Sequence, residues 1–341
     1  WSNDEKEKLP WETSHTYAVP MKPGLMLVPP ASDDECLTKE DFPYRRAIGA
    51  LLWLANVRPD ISQAVRQLAR HCLRFSKDHV KAVIHLLKYC YATREKCITY
   101  SGIRGQILPD TDSDIQARTA DLNHYISTQY SGRVYQTKTG EYVDRDYYRL
   151  LRNTGPLPEE LAHIDDEGKL LEVDARSLQY TDASFQSTFD YKSVSGYCIF
   201  YAGAVVDWGS LTQKVIATST MESELIATQK AVTQMVHVRN LLEDLNEIDI
   251  NLPTVSFEDN KACKIVLNNP RRRKGAKHMG RTLAKAHQWV SAGVVQYVYC
   301  KTKSMIADVF TKPLPYEQFV YFRDRMLNEP ASTNIRFSDV D

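Results

Sequence analysis

No stretch of the 341-residue chain approaches the roughly 20 consecutive apolar residues of a membrane-spanning helix, and no secretory signal pattern is present, so no membrane partner is expected. There is no CxxC pair. The seven cysteines are odd in number and scattered along the chain, which leaves no zinc site and reads as reduced thiols of a cytosolic or nuclear protein. There is no excess charge either: 43 basic and 43 acidic residues cancel, so any surface for a polyanion has to come from uneven distribution. One such asymmetry is present. Between Asn260 and Ala307 there is no acidic residue, while Lys261, Lys264, Arg271, Arg272, Arg273, Lys274, Lys277, Arg281, Lys285, Lys301 and Lys303 all fall there. That is the electrostatic footprint of a nucleic-acid backbone, although "NPRRRKGAKH" taken alone reads equally as a solvated basic loop. No internal repeat is present. Length and a hydrophobic content of 43% suit two or three globular domains, and a chain opening with Trp1 is expected to be a piece of a longer polypeptide.

Residues 1–40 carry most of the early prolines and little periodicity, and read as an extended linker. A small helical unit follows over 41–103. In "PYRRAIGALLWLANV", Ile48, Leu51, Leu52 and Ala55 recur at helical spacing behind Pro43. "RPDISQAVRQLARHC" has Asp60 as its expected cap, and "SKDHVKAVIHLLKYCYAT" is capped by Ser76 and buried through Val80, Val83, Leu86 and Leu87. "KCITYSG" reads as a strand leaving this unit. Residues 104–177 alternate acidic clusters with Tyr-rich pieces, an insertion or connector in which only "YYRLLRNTGPLPEELAHI" suggests a helix. From Leu178 to residue 322 the order is β-β-β-α-β-α-α-β-α, the pattern of an α/β domain with a mixed five-stranded sheet and flanking helices. Residues 323–341 remain as a C-terminal tail.

The chemistry lies in carboxylates that break apolar patterns. In "LQYTDASF", Leu178, Tyr180 and Asp182 share one face of a strand, so a charge continues a hydrophobic stripe. Such a group must be protonated, paired or bound to a cation. In "TSTMESELIA", Ser219 and Glu222 form an S-x-x-E capping box, which explains Glu222 without any function. Glu224 instead heads the stripe Glu224, Thr228, Ala231, Met235, Val238, Leu242 and Leu245 that faces the sheet. Asp259 ends the strand "TVSFED", either at a sheet-edge site or as the cap of the next helix, and Asp308 opens a short helix in "SMIADVFTKPLP". Acidic groups crowded together repel unless cations hold them, and an all-oxygen set suits Mg²⁺. Two such ions about 4 Å apart stabilise the attacking water and the leaving oxygen of a phosphodiester cleavage. His278 and His287, in the basic segment, have the chemistry of proton shuttles beside a metal-bound phosphate, although a lone histidine is equally a structural one.

The ordered series "YTDASF", "KSVSGYCIFYAGAVVDWGS", "TSTMESELIAT", "EDNKAC", "AKH" and "IADVFTKPLP" resembles the ribonuclease H domain of copia-type LTR-retrotransposon Pol polyproteins. Upstream, "PYRRAIGALLWLANVRPDISQAV" and "HVKAVIHLLKY" look like the thumb or connection segment that follows the polymerase palm in that family. The resemblance covers most of residues 15–102 and 178–322. It implies a ribonuclease H-like fold and hydrolysis of the RNA strand of RNA–DNA hybrids. It also implies Asp182, Glu224, Asp259 and Asp308 as ligands of two Mg²⁺ ions, with Mn²⁺ substituting; His287, by its place in the basic segment, is expected as a further catalytic residue. Arg271, Arg272, Arg273, Lys274, Lys277, His278 and Arg281 would then contact the hybrid, and the missing polymerase fingers and palm would be a partner. The setting implied is the cytoplasm, including retrotransposon particles, or the nucleus. Two departures stand out. The segment 104–177 intervenes where the family has a short linker, and "GEYVDRDYY" imitates the polymerase Tyr-x-Asp-Asp hairpin with Arg145 in place of the second Asp. No polymerase activity is expected of this chain alone. Two other readings stay open: a catalytically silent, decayed or co-opted nucleic-acid-binding module, and a DNA-cutting resolvase or integrase of the same general fold.

Overall fold

Hydrophobic periodicity in the first hundred residues produces three short helices, α1 (Tyr44–Leu54), α2 (Ser62–Ala69) and α3 (Lys77–Ala92). The computed structural model describes residues 17–100, 177–201, 203–245, 247–248, 252–269 and 279–328, together with the backbone of 133–136 and 171–174. The third helix starts as its sequence predicts, with the Ser76 side chain taking part in a capping box closed by His79. Ile48, Leu51, Ala64, Val65, Leu68, Val83 and Leu86 are buried between the helices, whereas Leu52 and Leu87 face outward. The expected linker is not detached: Val19, Met21 and Leu27 are buried in the same core, and His85 Nε2 lies 2.9 Å from the Val19 carbonyl.

Asp60 does not cap α2. It lies in a 3₁₀ turn (Pro59–Ile61), 1% exposed, where Arg58 grips it through Nε at 2.9 Å and Nη2 at 2.7 Å and the Tyr89 hydroxyl donates to it as well. The expected strand at 96–102 is absent among the described residues 96–100. It has no neighbouring strand, and Thr99 N–H donates instead to the Leu327 carbonyl at 2.8 Å.

The backbones of β1 (Arg133–Gln136) and β2 (Leu171–Asp174) form an antiparallel pair inside the predicted connector. The helix expected from "YYRLLRNTGPLPEELAHI" lies outside the described residues. The main sheet contains β3 (Ser177–Ser184), β4 (Val194–Tyr201), β5 (Ala204–Thr212), β6 (Thr254–Glu258) and β7 (Val295–Tyr299) in the order β5-β4-β3-β6-β7. The three sequential strands are antiparallel, and β6 and β7 add in parallel, giving the mixed sheet expected from the element order. Helices α4 (Thr220–Asp244), α5 (Lys261–Asn268) and α6 (Gly280–Ser291) cover one face over a core that includes Ile199, Leu225, Met235 and Tyr297. The other face carries α7 (Asp308–Thr311), α8 (Tyr316–Leu327) and the amino-terminal helical unit, with Tyr180, Phe257, Phe310, Phe322 and Tyr89 in a single core. The predicted tail therefore begins inside a helix: α8 runs through residue 322 to Leu327 because Phe322, Met326 and Leu327 are buried. Among the described residues no helix is long and apolar enough to cross a membrane.

Gly196 positions α7. It lies opposite Asp182 in the β3–β4 ladder, on the same face, and a Cβ there would come within 2.6 Å of Thr311 Cγ2 and 2.8 Å of the Ala307 carbonyl. Gly196→Ala is therefore expected to push α7 off the sheet and lower stability by about 1–3 kcal/mol, read from a denaturant midpoint. An unchanged midpoint would show that this close approach is not required.

Candidate metal centre

β3 places Asp182 in the middle of the sheet, 4% exposed, where only a hydrogen-bonded or ion-compensated carboxylate is stable. Thr311 Oγ1 donates to its Oδ2 from α7. Glu224 enters from the second turn of α4, whose amino terminus is capped by the Ser219 side chain accepting from Glu222 N–H. The Glu222 carboxylate folds back onto Thr218 N–H at 2.7 Å and the Thr218 hydroxyl, one residue before the Ser219 N–H that a capping box would engage, so it is occupied at the helix start all the same. Asp259 follows β6. It is Asn260 that caps α5, through Oδ1 to Cys263 N–H at 3.1 Å, which leaves Asp259 free of the capping role. Thr302 donates to Asp259 Oδ2 at 2.8 Å.

One carboxylate oxygen from each of Asp182, Glu224 and Asp259 lies within 4.8 Å of the other two. Asp308, 1% exposed at the start of α7, lies near enough to Asp182 for that charge to act on its carboxyl, and Lys312 Nζ stands 2.9 Å from Asp308 Oδ1. Three residues remote in sequence are thus brought together at one end of β3, and Asp308 is not among the three whose oxygens converge. The donors are all oxygens, and Glu224 Oε2 is buried without a hydrogen-bond partner, aimed into a group of like charges. Both features fit a hard divalent cation.

Burial first, and then the charges of Glu258 and Asp182, hold the Glu224 carboxyl well above the ordinary range. Burial and Asp182 push Asp308 up to about 8. Asp259 is raised by the same two causes. For Lys312, burial opposes the charge, but Asp182 and Asp308 outweigh it and the ammonium is held more firmly than usual. Each raised carboxyl makes the folded state bind more protons than the unfolded chain between the ordinary carboxylate value, about 4, and its own. Stability without metal should therefore be fully present below that window and fall as pH rises through it towards about 8, by up to about 1.4 kcal/mol per pH unit for each proton held. Urea midpoints across this window should show the slope. A flat profile would contradict the crowding.

Comparison with known proteins gives the group a setting. The chain is 22% identical over 283 residues to the Retrovirus-related Pol polyprotein from transposon RE1 of Arabidopsis thaliana, covering 83% of this chain and 15% of that protein. It is 22% identical over 279 residues to the corresponding RE2 polyprotein of the same plant, covering 82% and 14%. It is 26% identical over 208 residues to the Transposon Ty1-DR5 Gag-Pol polyprotein of Saccharomyces cerevisiae, covering 61% and 12%. Its relatives are retrotransposon Pol polyproteins. The chain spans about a seventh of the length of these relatives. No family model matches it, and no solved structure matches it.

The remaining predicted residues of this Pol-related chain fall elsewhere. His287 is 5% exposed on α6, and its Nε2–H donates to the Val266 carbonyl of α5 at 2.8 Å, so its ring lies at the contact between two helices. Arg271, Arg272, Arg273, Lys274, Lys277 and His278 lie outside the described residues. Arg281 is placed by its backbone in the first turn of α6.

Glu258 is the residue that sequence reading missed. Alternation turns it to the opposite face from Asp259, fully buried under α4, where its carboxylate accepts from Asn260 N–H at 3.1 Å and from the Thr228 hydroxyl at 3.3 Å. Burial first, with Asp259 and Asp182 adding to it, pushes this carboxyl up to about 8. A Glu on the face of Thr254 and Ser256, beneath a helix carrying Thr228, was the available signal.

Proposed function

We propose that the chain is the ribonuclease H part of a retrotransposon reverse transcriptase, a metal-dependent endonuclease acting on the RNA strand of RNA–DNA hybrids. The observation that carries the reading is the meeting of Asp182, Glu224 and Asp259 oxygens within 4.8 Å, with Glu224 Oε2 unpartnered. Supporting it are the five-stranded mixed sheet, the ordered series of motifs and the Pol and Gag-Pol relatives. Divalent ions held by these oxygens would supply Lewis-acid stabilisation of the charge that develops on phosphate during in-line displacement. The chain's own residues do the rest. Asp182, Glu224 and Asp259 would hold the ions, with Asp308 beside them as a further ligand. Thr311 orients Asp182, and Thr302 orients Asp259. In this reading the polymerase fingers and palm of the same polyprotein position the hybrid.

A second reading, a silent binding module, is favoured by one feature: Lys312 already supplies a positive charge beside Asp308, at 2.9 Å. Titrating Mg²⁺ or Mn²⁺ against a labelled hybrid decides between the two. Metal-dependent cutting of the RNA strand is the expected result. Binding without cutting would favour the silent module, and cutting of duplex DNA in a parallel arm would favour the resolvase or integrase reading.

A further inference from the structure

Beside the carboxylates, on the side away from α4, a cleft of about 160 Å³ opens where α2, the turn at 187–189 and the end of α7 meet. Arg66, Arg70 and Lys312 line it. Two of these cations have acidic partners. Arg70 Nη2 lies 2.6 Å from Asp190 Oδ1, and Lys312 pairs with Asp308. Arg66 differs: Nε donates to Ser210 Oγ at 2.8 Å and Nη1 to Thr212 Oγ1 at 2.9 Å, and no carboxylate neutralises it among the described residues. A guanidinium held in place by two neutral hydroxyls, partly buried and next to a second guanidinium, is preorganised for an anion that is absent from the chain itself. The fork of Arg66 retains its Nη2 edge for that anion, and such forks match the oxygen spacing of phosphate. Consistent with an uncompensated cation, burial and then the Arg70 charge push the Arg66 guanidinium down to about 10.

The location narrows the ligand. Thr311 and Lys312 form one wall of the cleft, and the same two side chains reach Asp182 and Asp308. An anion seated here is therefore adjacent to the group that would cut a phosphodiester. We infer that Arg66, Arg70 and Lys312 form a phosphate-binding cleft that takes a backbone phosphate of the nucleic-acid substrate next to the scissile position. The inference rests on the nucleic-acid reading above and adds to it that the amino-terminal helical unit, through α2, grips the substrate of the nuclease.

The full chain carrying Asp182→Asn, so that hybrid is bound but not cut, is compared with the same chain carrying also Arg66→Gln or Arg70→Gln. Hybrid affinity is measured by fluorescence anisotropy over a range of salt. Each added substitution should weaken binding roughly tenfold, equally for different sequences. Each should also flatten the plot of log affinity against log salt by about 0.7–0.9, the value of one lost phosphate contact. Arg70→Gln is the safeguard against a folding failure of Arg66→Gln: Arg70 is partly exposed at the rim, and Asp190 keeps Lys192 at 3.2 Å. Unchanged affinity and slope in the folded variants would overturn the inference. A second arm adds inorganic phosphate alone and follows Tm, which should rise for the Asp182→Asn chain and not for the Arg66→Gln derivative. If the chain binds no hybrid, the functional reading falls. A phosphate-dependent rise confined to chains with Arg66 then shows a free-phosphate site, and the absence of such a rise ends the proposal altogether.

Discussion

Asp182→Asn is expected to abolish metal-dependent cleavage of a labelled hybrid while making the metal-free protein more stable. Asp182 is the hub of the carboxylate group: its charge contributes to the raised carboxyls of Glu224, Asp259 and Asp308, and it is itself 4% exposed. Without it, the site loses its central anionic oxygen. A loss of several kcal/mol of Lewis-acid stabilisation corresponds to a fall of about a thousandfold or more in rate. The amide still accepts from Thr311, so α7 keeps its anchor. Removing one negative charge from a crowded group relieves repulsion, worth on the order of 1 kcal/mol or more. Two measurements on one variant therefore move in opposite directions, the denaturant midpoint upward and the cleavage rate downward. Cleavage that survives the change would remove the proposed function. A lowered midpoint would show that Asp182 is paired in the metal-free protein rather than strained.

Asp60→Ala is expected to be among the most destabilising single changes in the chain. Its carboxylate receives both faces of the Arg58 fork and the Tyr89 hydroxyl, and Arg58 also donates to the Thr93 carbonyl at 3.0 Å. Nearby on α8, Arg323 feels the Asp60 charge while bonding Asp324, which Lys96 approaches at 3.4 Å. Removing one partner leaves a buried guanidinium without its counter-charge, at a cost of about 3–5 kcal/mol and a fall of roughly 10 °C in Tm. The loss should be the same with and without Mg²⁺, because none of these groups is a proposed ligand. Replacing both partners, Arg58→Met with Asp60→Leu, should cost much less, since no charge is then stranded. Equal losses in the single and double variants would mean that packing, and not the ion pair, sets the stability.

Residues whose role is encoded by local periodicity were legible from sequence, and those whose partners are distant were not. Glu224 stood out because 3.6-residue spacing puts it in line with Thr228, Ala231 and Met235, and all four are buried. Leu245, the last member of that stripe, is 59% exposed because α4 ends at Asp244. The element order of the main sheet followed from alternation and short turns, and the structure has that order. Asp60 was misread as a cap because its local pattern is that of a cap, whereas Tyr89 is 29 residues away. His287 shows two local signals in competition. Leu283, His287 and Val290 recur at helical spacing, a core signal that was outweighed by the basic segment around them. Asp259 is ambiguous in the sequence because two adjacent residues, Asp259 and Asn260, both have capping chemistry, and in the structure Asn260 takes that role. The extent of α8 was invisible because what holds its last turn, Thr99 and the helical unit, comes more than 200 residues earlier.

The core shared by the amino-terminal helices and the sheet makes the peptide linkage through 101–176 dispensable for holding them together. Trp208 Nε1 bonds the Ala55 carbonyl at 3.2 Å, Tyr100 bonds the Val205 carbonyl at 3.2 Å, and the Tyr89 and Phe319 rings meet at 5.9 Å. Residues 17–100 and 177–328 are in effect complementary fragments of one body. A nick between them would leave a tight noncovalent pair, whereas either fragment produced alone would present bare apolar surface to water and tend to aggregate.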